Sequence, residues 1–346
     1  MTENQYSLTN RYKLLVYITA KNNDRCIEFA KQFANNLYVY YLTLDTNRIE
    51  ELYNPNIKIY DLSSPSNVFD RLVIKYNFYK VSKQIESYIK ANNIYKREIL
   101  LILTETKFST ISESFPLATM HFDFDNSIST NIYEDMLNNN LFILANSITT
   151  NNLRVKNDLE NNFDAIYRLP DGINNNIKTN SKCSSLPAFS SPLIGCFSSN
   201  PEILDIDFIN ELSKSHPEYT FLFLSDKNFP EEFKTETNLN FITTRASFAK
   251  YNLVLLPFNE LYCAEVNTLL YENLIYHAPI VSLKTQELET HKRILYLYKS
   301  KSFLNSELSD LNKFINPDLL QKSLLLDNCS WNARFKQLES IILAHR

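Results

Sequence analysis

The chain reads as an α/β protein made of two doubly wound halves, and three observations lead there. Short apolar runs rich in Leu, Ile, Val, Phe and Tyr alternate with amphipathic segments along nearly the whole sequence. The alternation breaks once, in a polar Ser/Asn-rich stretch at 174–190, and then restarts. The length, 346 residues, exceeds one ordinary core and suits two domains of ~150 to 180 residues.

Taken in order, residues 12–19 (YKLLVYIT) form a β-rich apolar run, and 25–35 is amphipathic after a polar turn, which predicts a strand, a turn and a helix. Strands follow at 37–44 (LYVYYLTL) and 57–62, and 68–92 has helical periodicity. Residues 98–103 (EILLIL) are a continuous apolar run, the pattern of a strand buried on both faces of a parallel sheet. A strand at 117–124 runs into Asp123-Phe124-Asp125; a helix at 132–138, a strand at 141–145, a helix at 151–160 and a strand at 165–169 complete the first half. Beyond the polar stretch come a strand at 193–197, a helix at 205–214, and strands at 219–224 and 240–243. The segment 251–283 carries a strand at 252–256, a Pro257-Phe258 stop, a loop, a helix bearing Glu272, and a strand opening at Pro279. The end, 330–344, is amphipathic, with Trp331, Phe335, Leu338, Ile341 and Ile342 on one face. The domains are therefore expected at 1–173 and 191–329, with a linker at 174–190 and a terminal helix in 330–346 that can cross back to the first domain.

Composition narrows the function. The net charge of −4 lacks the basic field that general nucleic-acid binding needs. The chain has only 2 Gly. A Gly-x-Gly-x-x-Gly or Walker-type phosphate loop cannot be built from them, so any phosphate site must use Ser, Thr, Asn and helix starts. Cys26, Cys183, Cys196, Cys263 and Cys329 are scattered, an odd count that fits a reducing cytoplasm better than a disulfide framework. Residues 1–10 are polar, with no secretory apolar core, and no apolar run approaches the ~20 residues that span a bilayer. A cytoplasmic protein is expected, at most peripheral at a membrane.

Several phrases, in this order, resemble GT-B glycosyltransferases of the bacterial "glycosyl transferases group 1" type. Leu169-Pro170-Asp171-Gly172-Ile173 is similar to the Leu-Pro-Asn-Gly-Val phrase that closes the family's first domain. Pro192-Leu193-Ile194-Gly195-Cys196-Phe197 is similar to the first strand of its second domain. The passage 216–224, from His216-Pro217 to Leu224, resembles its helix-to-strand passage, with Ser225 where Gly is usual. Asn252 to Phe258 resembles Asp-Val-x-Leu-x-Pro-Phe, and Leu270-Tyr271-Glu272-Asn273-Leu274 with Pro279-Ile280-Val281 resembles Leu-Tyr-Glu-Tyr-Leu-Ala-x-Gly-x-Pro-Val-Val. Ser330-Trp331-Asn332-x-Arg334 matches a late Ser-Trp-x-x-Arg phrase. The resemblance implies two Rossmann-like domains facing a cleft. It also implies a hexosyltransferase that moves a sugar from a nucleotide-diphosphate donor to a saccharide, lipid-linked or protein acceptor. The context it implies is bacterial surface polysaccharide or glycoconjugate assembly, with the protein cytoplasmic or peripheral at the inner membrane. No tightly bound cofactor and no metal are expected.

By the same resemblance Glu272 would accept the donor ribose hydroxyls. Ser198, Ser199 and Asn200, ahead of the helix at 205, would meet the diphosphate. Asn267, Thr268 and Leu269 stand where the family has Pro-x-Lys, so that lysine is missing; Arg245 and Lys250 are the sequence candidates to replace it. Phe258 and Asn259 follow the site strand. The family's earlier glutamate falls on Ala264, beside Glu265. In the first half His121, Asp123 and Asp125 lie at a strand's C-terminal end, where open α/β sheets place ligands and where a base could deprotonate an acceptor. Thr19 and Lys21 follow the first strand and would face the acceptor. The departures leave a second reading open: a catalytically degenerate relative acting as partner or scaffold for an active transferase.

Overall fold

The computed structural model describes residues 7–63, 70–124, 136, 141–173, 189–243, 250–259, 262, 265–276, 278–315 and 319–345. The chain divides into two compact units, Met1–Pro170 with Arg334–Arg346, and Asp171–Ala333.

In the first unit the described residues form a seven-stranded sheet in the order β3-β2-β1-β4-β5-β6-β7. The strands are β1 Leu14–Thr19, β2 Tyr38–Thr43, β3 Ile57–Asp61, β4 Ile99–Leu103, β5 Thr119–Phe124, β6 Ser147–Thr150 and β7 Ile166–Arg168. Every pairing is parallel. β1 and β4 are central and buried along their whole length, which is why their sequences carry no polar alternation. β3 lies at the edge and is only partly buried. Helix α1 (Asp24–Ala34) starts where the Asn23 side chain accepts from the Cys26 amide, and it lays Cys26, Ile27, Phe29, Ala30 and Phe33 inward. Helices α2 (Asp70–Ala91) and α3 (Leu153–Glu160) follow.

One expectation in this unit is corrected. Residues 141–145 are not a strand: Leu141–Leu144 is a helical turn with Ile143 83% exposed. The strand is β6, Ser-Ile-Thr-Thr, whose hydroxyls are buried. A short apolar run does not separate strand from helix. The hydroxyl-rich segment carries no apolar signal of its own; its burial depends on a partner, His121, on the next strand. The helix expected at 132–138 lies outside the described residues apart from Met136, as does most of 174–190.

In the second unit the order is β10-β9-β8-β11-β12-β13, again all parallel. The strands are β8 Leu193–Phe197, β9 Thr220–Ser225, β10 Leu239–Thr243, β11 Leu253–Leu256, β12 Ile280–Leu283 and β13 Tyr296–Tyr298. Helices α4 (Ile206–Ser215), α5 (Val266–Asn273), α6 (Lys301–Glu307) and α7 (Leu319–Asn328) accompany them. In both sheets the strand order reverses beside the first strand, at β1/β4 and at β8/β11, and that reversal opens a crevice at the strands' C-terminal ends.

The two glycines sit where no side chain fits. A Cβ on Gly195, in β8 with φ +156°, would lie 1.8 Å from the Leu222 carbonyl oxygen of β9. A Cβ on Gly172 would lie 2.6 Å from the Trp331 ring. There Ile173 pairs in parallel with Ser330, its amide donating to Cys329 O at 2.9 Å. Helix α8 (Trp331–Ala344) follows, and the division of the chain falls inside it. Its later residues pack in the first unit, where Phe335 meets Phe33 edge-on at 4.9 Å and Leu343 O accepts from Arg11 Nη1 at 3.3 Å.

Candidate functional site

The loop leaving β8 and the end of helix α5 meet in the second unit. Glu272 is 6% exposed, and its Oε2 accepts from the Ser199 amide at 3.2 Å. One turn-pair earlier on the same side of the helix, Glu265 Oε2 accepts from Asn200 Nδ2 at 3.0 Å. Burial pushes the Glu272 carboxyl up from the usual carboxylate range to about 7. Ser199 opposes that shift by hydrogen bonding, Asp226 adds to it, and the Lys227 charge pulls it down. A carboxyl in this state accepts hydroxyl hydrogens well when ionised and is costly to keep ionised.

The rest of the loop is spoken for. Ser198 is buried; its amide closes onto Leu224 O at 2.9 Å and its hydroxyl donates to Asn200 O at 2.7 Å. The helix after the loop begins at Ile206, and its start is filled by its own chain. Asp205 caps it, accepting from the Phe208 amide at 3.0 Å and pairing with Lys301. A diphosphate at that helix start would meet the Asp205 carboxylate, already engaged by the Phe208 amide and by Lys301. Phe258 is buried core, its backbone bridged to Leu204, and Asn259 donates its amide to Ile203 O at 2.8 Å. Both stitch the β11 loop to the β8 loop. Asn267 is buried and donates to Glu287 Oε2 at 3.1 Å, while Thr268 is half-buried. Lys250 is exposed, and Arg245 lies outside the described residues.

In the first unit His121 and Asp123 are brought together, but inside the protein. Both are essentially without exposure. Asp123 takes a two-point ion pair from Arg25, Nε to Oδ2 at 2.9 Å and Nη2 to Oδ1 at 2.6 Å. Arg25 Nη1 donates to Leu169 O at 2.8 Å, and Thr149 donates to Asp123 Oδ1 at 2.6 Å. With its proton committed to Asp123, the Thr149 hydroxyl accepts from His121 Nε2 at 2.8 Å, and Ser147 then donates to Nδ1 at 2.8 Å. The imidazole is thereby fixed neutral; burial holds it down to about 4, with Arg25 adding to that and Asp123 opposing it. Burial works against the Asp123 charge, yet Arg25, His121 and Thr149 hold its carboxyl below the usual range. Reading either as an accessible base is corrected, because every polar atom of the pair faces an internal partner. Thr19 is likewise enclosed, donating to Lys21 O at 2.7 Å and accepting from Thr104 at 3.2 Å; Lys21 is exposed. Asp125 lies outside the described residues. Among the described residues no cluster of His, Cys, Asp and Glu could hold a metal, and no helix is long and apolar enough to cross a membrane.

Sequence reasoning missed three residues. Arg25 opens the amphipathic segment 25–35, and nothing in its local sequence marks it as the partner of Asp123. Lys227, two residues past β9, acts on Glu272 only once the sheet order is known. Asn273 is the neighbour of Glu272 in the motif itself, and an amide in an otherwise apolar stretch was the available signal.

The whole chain can be set beside solved structures. A glycosyltransferase from Rickettsia africae matches 96% of this chain and 98% of its own at 12% identity, with a TM-score of 0.64. Anabaena HepE, solved with UDP-glucose, matches 96% and 100% at 12% identity and 0.63. The lipopolysaccharide outer core galactosyltransferase WaaB matches 96% and 98% at 10% identity and 0.59. This chain has the GT-B fold. Neither the family models nor the curated proteins compared with it match its sequence. In a GT-B chain the crevice at β8/β11 belongs to the second Rossmann-like half, and Glu272 stands on the helix that borders it.

Proposed function

We propose that this GT-B chain is a glycosyltransferase that takes a nucleotide-diphosphate sugar on its second unit and passes the sugar to a saccharide, lipid-linked or protein acceptor. Surface polysaccharide or glycoconjugate assembly on the cytoplasmic side, with the protein peripheral at the inner membrane, is the setting we infer. The observation that carries the reading is Glu272, a buried carboxyl with no ion pair among the described residues, held to the crevice loop by the Ser199 amide. Burying it costs stability, and a pair of ribose hydroxyls is the class of ligand that would use both its oxygens. Lys227 supplies positive charge on the same edge and is proposed to meet the diphosphate in place of the lysine missing at Leu269. Catalysis would rest on placing donor and acceptor and on stabilising the leaving diphosphate. No tightly bound cofactor enters this scheme.

Calorimetric titration with UDP, GDP, CDP and ADP, and with their sugar conjugates, tests the reading. One nucleoside diphosphate is expected to bind, with Glu272→Ala abolishing binding and Lys227→Ala weakening the diphosphate more than the free nucleoside. Absence of binding by all four at millimolar concentration would overturn the donor site and leave a non-catalytic partner protein as the account of the chain.

A further inference from the structure

We infer that Asn273 is the residue that positions Glu272 for its ligand, by locking helix α5 onto the last residue of β8. Asn273 has no exposed surface, and its carboxamide makes three hydrogen bonds. Its Oδ1 accepts from the Phe197 amide at 2.9 Å, and its Nδ2 donates to Phe197 O and to Leu269 O, each at 2.7 Å. The two bonds to Phe197 reproduce the paired donor and acceptor of a neighbouring strand, supplied by a side chain. They act two residues before Ser199, whose amide reaches Glu272, two residues on from that contact by way of the buried Ser198. Adjacent residues of the helix therefore grip residues 197 and 199 of one loop. Strand β8 is held in register by its parallel pairing with β9 on one side and β11 on the other.

The fit is specific. Asp in place of Asn would set a carboxylate against two carbonyl oxygens, and Ala would leave the Phe197 amide and carbonyl buried without partners. Either change frees the loop, so the Ser199 amide no longer has a fixed distance to Glu272. The groups that set the Glu272 charge besides Ser199 are Asp226 and Lys227 past β9, Cys196 in β8 and Tyr276 after α5. Of these only Tyr276 touches Asn273 by hydrogen bond, its backbone amide donating to Asn273 O at 3.3 Å, a contact that replacing the Asn273 side chain leaves in place; a change in Glu272 titration on that replacement therefore reports the loop.

This inference rests on the donor-site reading for its consequence but not for its first test. Carboxyl titration of ligand-free protein carrying ¹³C-labelled Glu, with Glu272 assigned through Glu272→Gln, is followed in wild type, Asn273→Ala and Asn273→Ser. The expected result is an upward shift of the Glu272 midpoint in Asn273→Ala, with Asn273→Ser in between, since its shorter hydroxyl retains one contact. Nucleotide titration of the same proteins is expected to show at least a tenfold loss of affinity in Asn273→Ala. A purely structural amide would lower the melting temperature and leave both the midpoint and the affinity of the folded protein unchanged; that overturns the inference. A shifted midpoint in a protein whose wild type binds no nucleotide sinks the donor-site reading and keeps the positioning. If Asn273→Ala does not fold, Asn273→Ser decides by the same two readouts.

Discussion

Glu272 and Asp123 are both buried carboxyls, and their neighbours hold them in opposite states. Asp123 has a guanidinium on both oxygens and a hydroxyl besides, so its charge is kept despite burial. Its folded value lies below its unfolded one. The stability it contributes is present above the ordinary carboxylate range and is lost as pH falls through the folded value. Glu272 has the Ser199 hydroxyl and amide and a more distant lysine, and burial still raises it to about 7. Here the sign is reversed: the contribution favouring the fold is complete below the unfolded value near 4.5 and is gone once pH passes about 7. Asp123→Asn is expected to cost about 3–5 kcal/mol, because Arg25 stays buried without its counter-charge; denaturant midpoints at pH 7 measure it. His121, Asp123 and Glu272 were all legible in the sequence as polar groups in apolar surroundings. Their roles were not, because the partner that decides the first-unit pair, Arg25, is 98 residues away from Asp123 in the chain.

At the scale of elements, most strands and helices could be read from periodicity, since the central strands are uniformly apolar and α1 and α4 carry clear stripes and side-chain caps. The failure at 141–150 has a local cause. Leu-Phe-Ile-Leu has the look of a buried strand but forms a turn with an exposed isoleucine, while Ser-Ile-Thr-Thr is buried because His121 and Asp123 satisfy its hydroxyls. Pairing across strands, not intrinsic preference, decided both. The scarcity of glycine becomes informative at this scale, because each survivor stands where a Cβ would collide. Gly195→Ala is expected to cost about 3 kcal/mol or more, through strain at positive φ and a clash with the β9 backbone. A loss of several degrees in melting temperature, or failure to fold, checks it; an unchanged melting temperature contradicts it.

At the scale of the molecule, two sheets with the same internal order account for the sequence's repeating strand-helix pattern, and the likeness to solved GT-B chains extends over nearly its whole length. That likeness survives at 12% identity because it depends on buried apolar runs, which tolerate exchange of one apolar residue for another. The residues that bind ligands follow no such pattern, and here two phrase positions carry other residues: Ser225 and Leu269. Glu272 is therefore the residue that separates a chain that keeps a buried carboxyl for a ligand, against the interest of the fold, from one that binds none. The deciding measurement is the melting temperature of Glu272→Gln at pH 8, with and without the nucleoside diphosphate that the wild type binds. The expected result is a ligand-free protein more stable than wild type, by roughly 2–4 °C for each kcal/mol of burial cost relieved, that has lost the stabilisation by nucleotide. A variant less stable than wild type that still responds to nucleotide would contradict it, placing Glu272 in the core's hydrogen bonding and the ligand elsewhere.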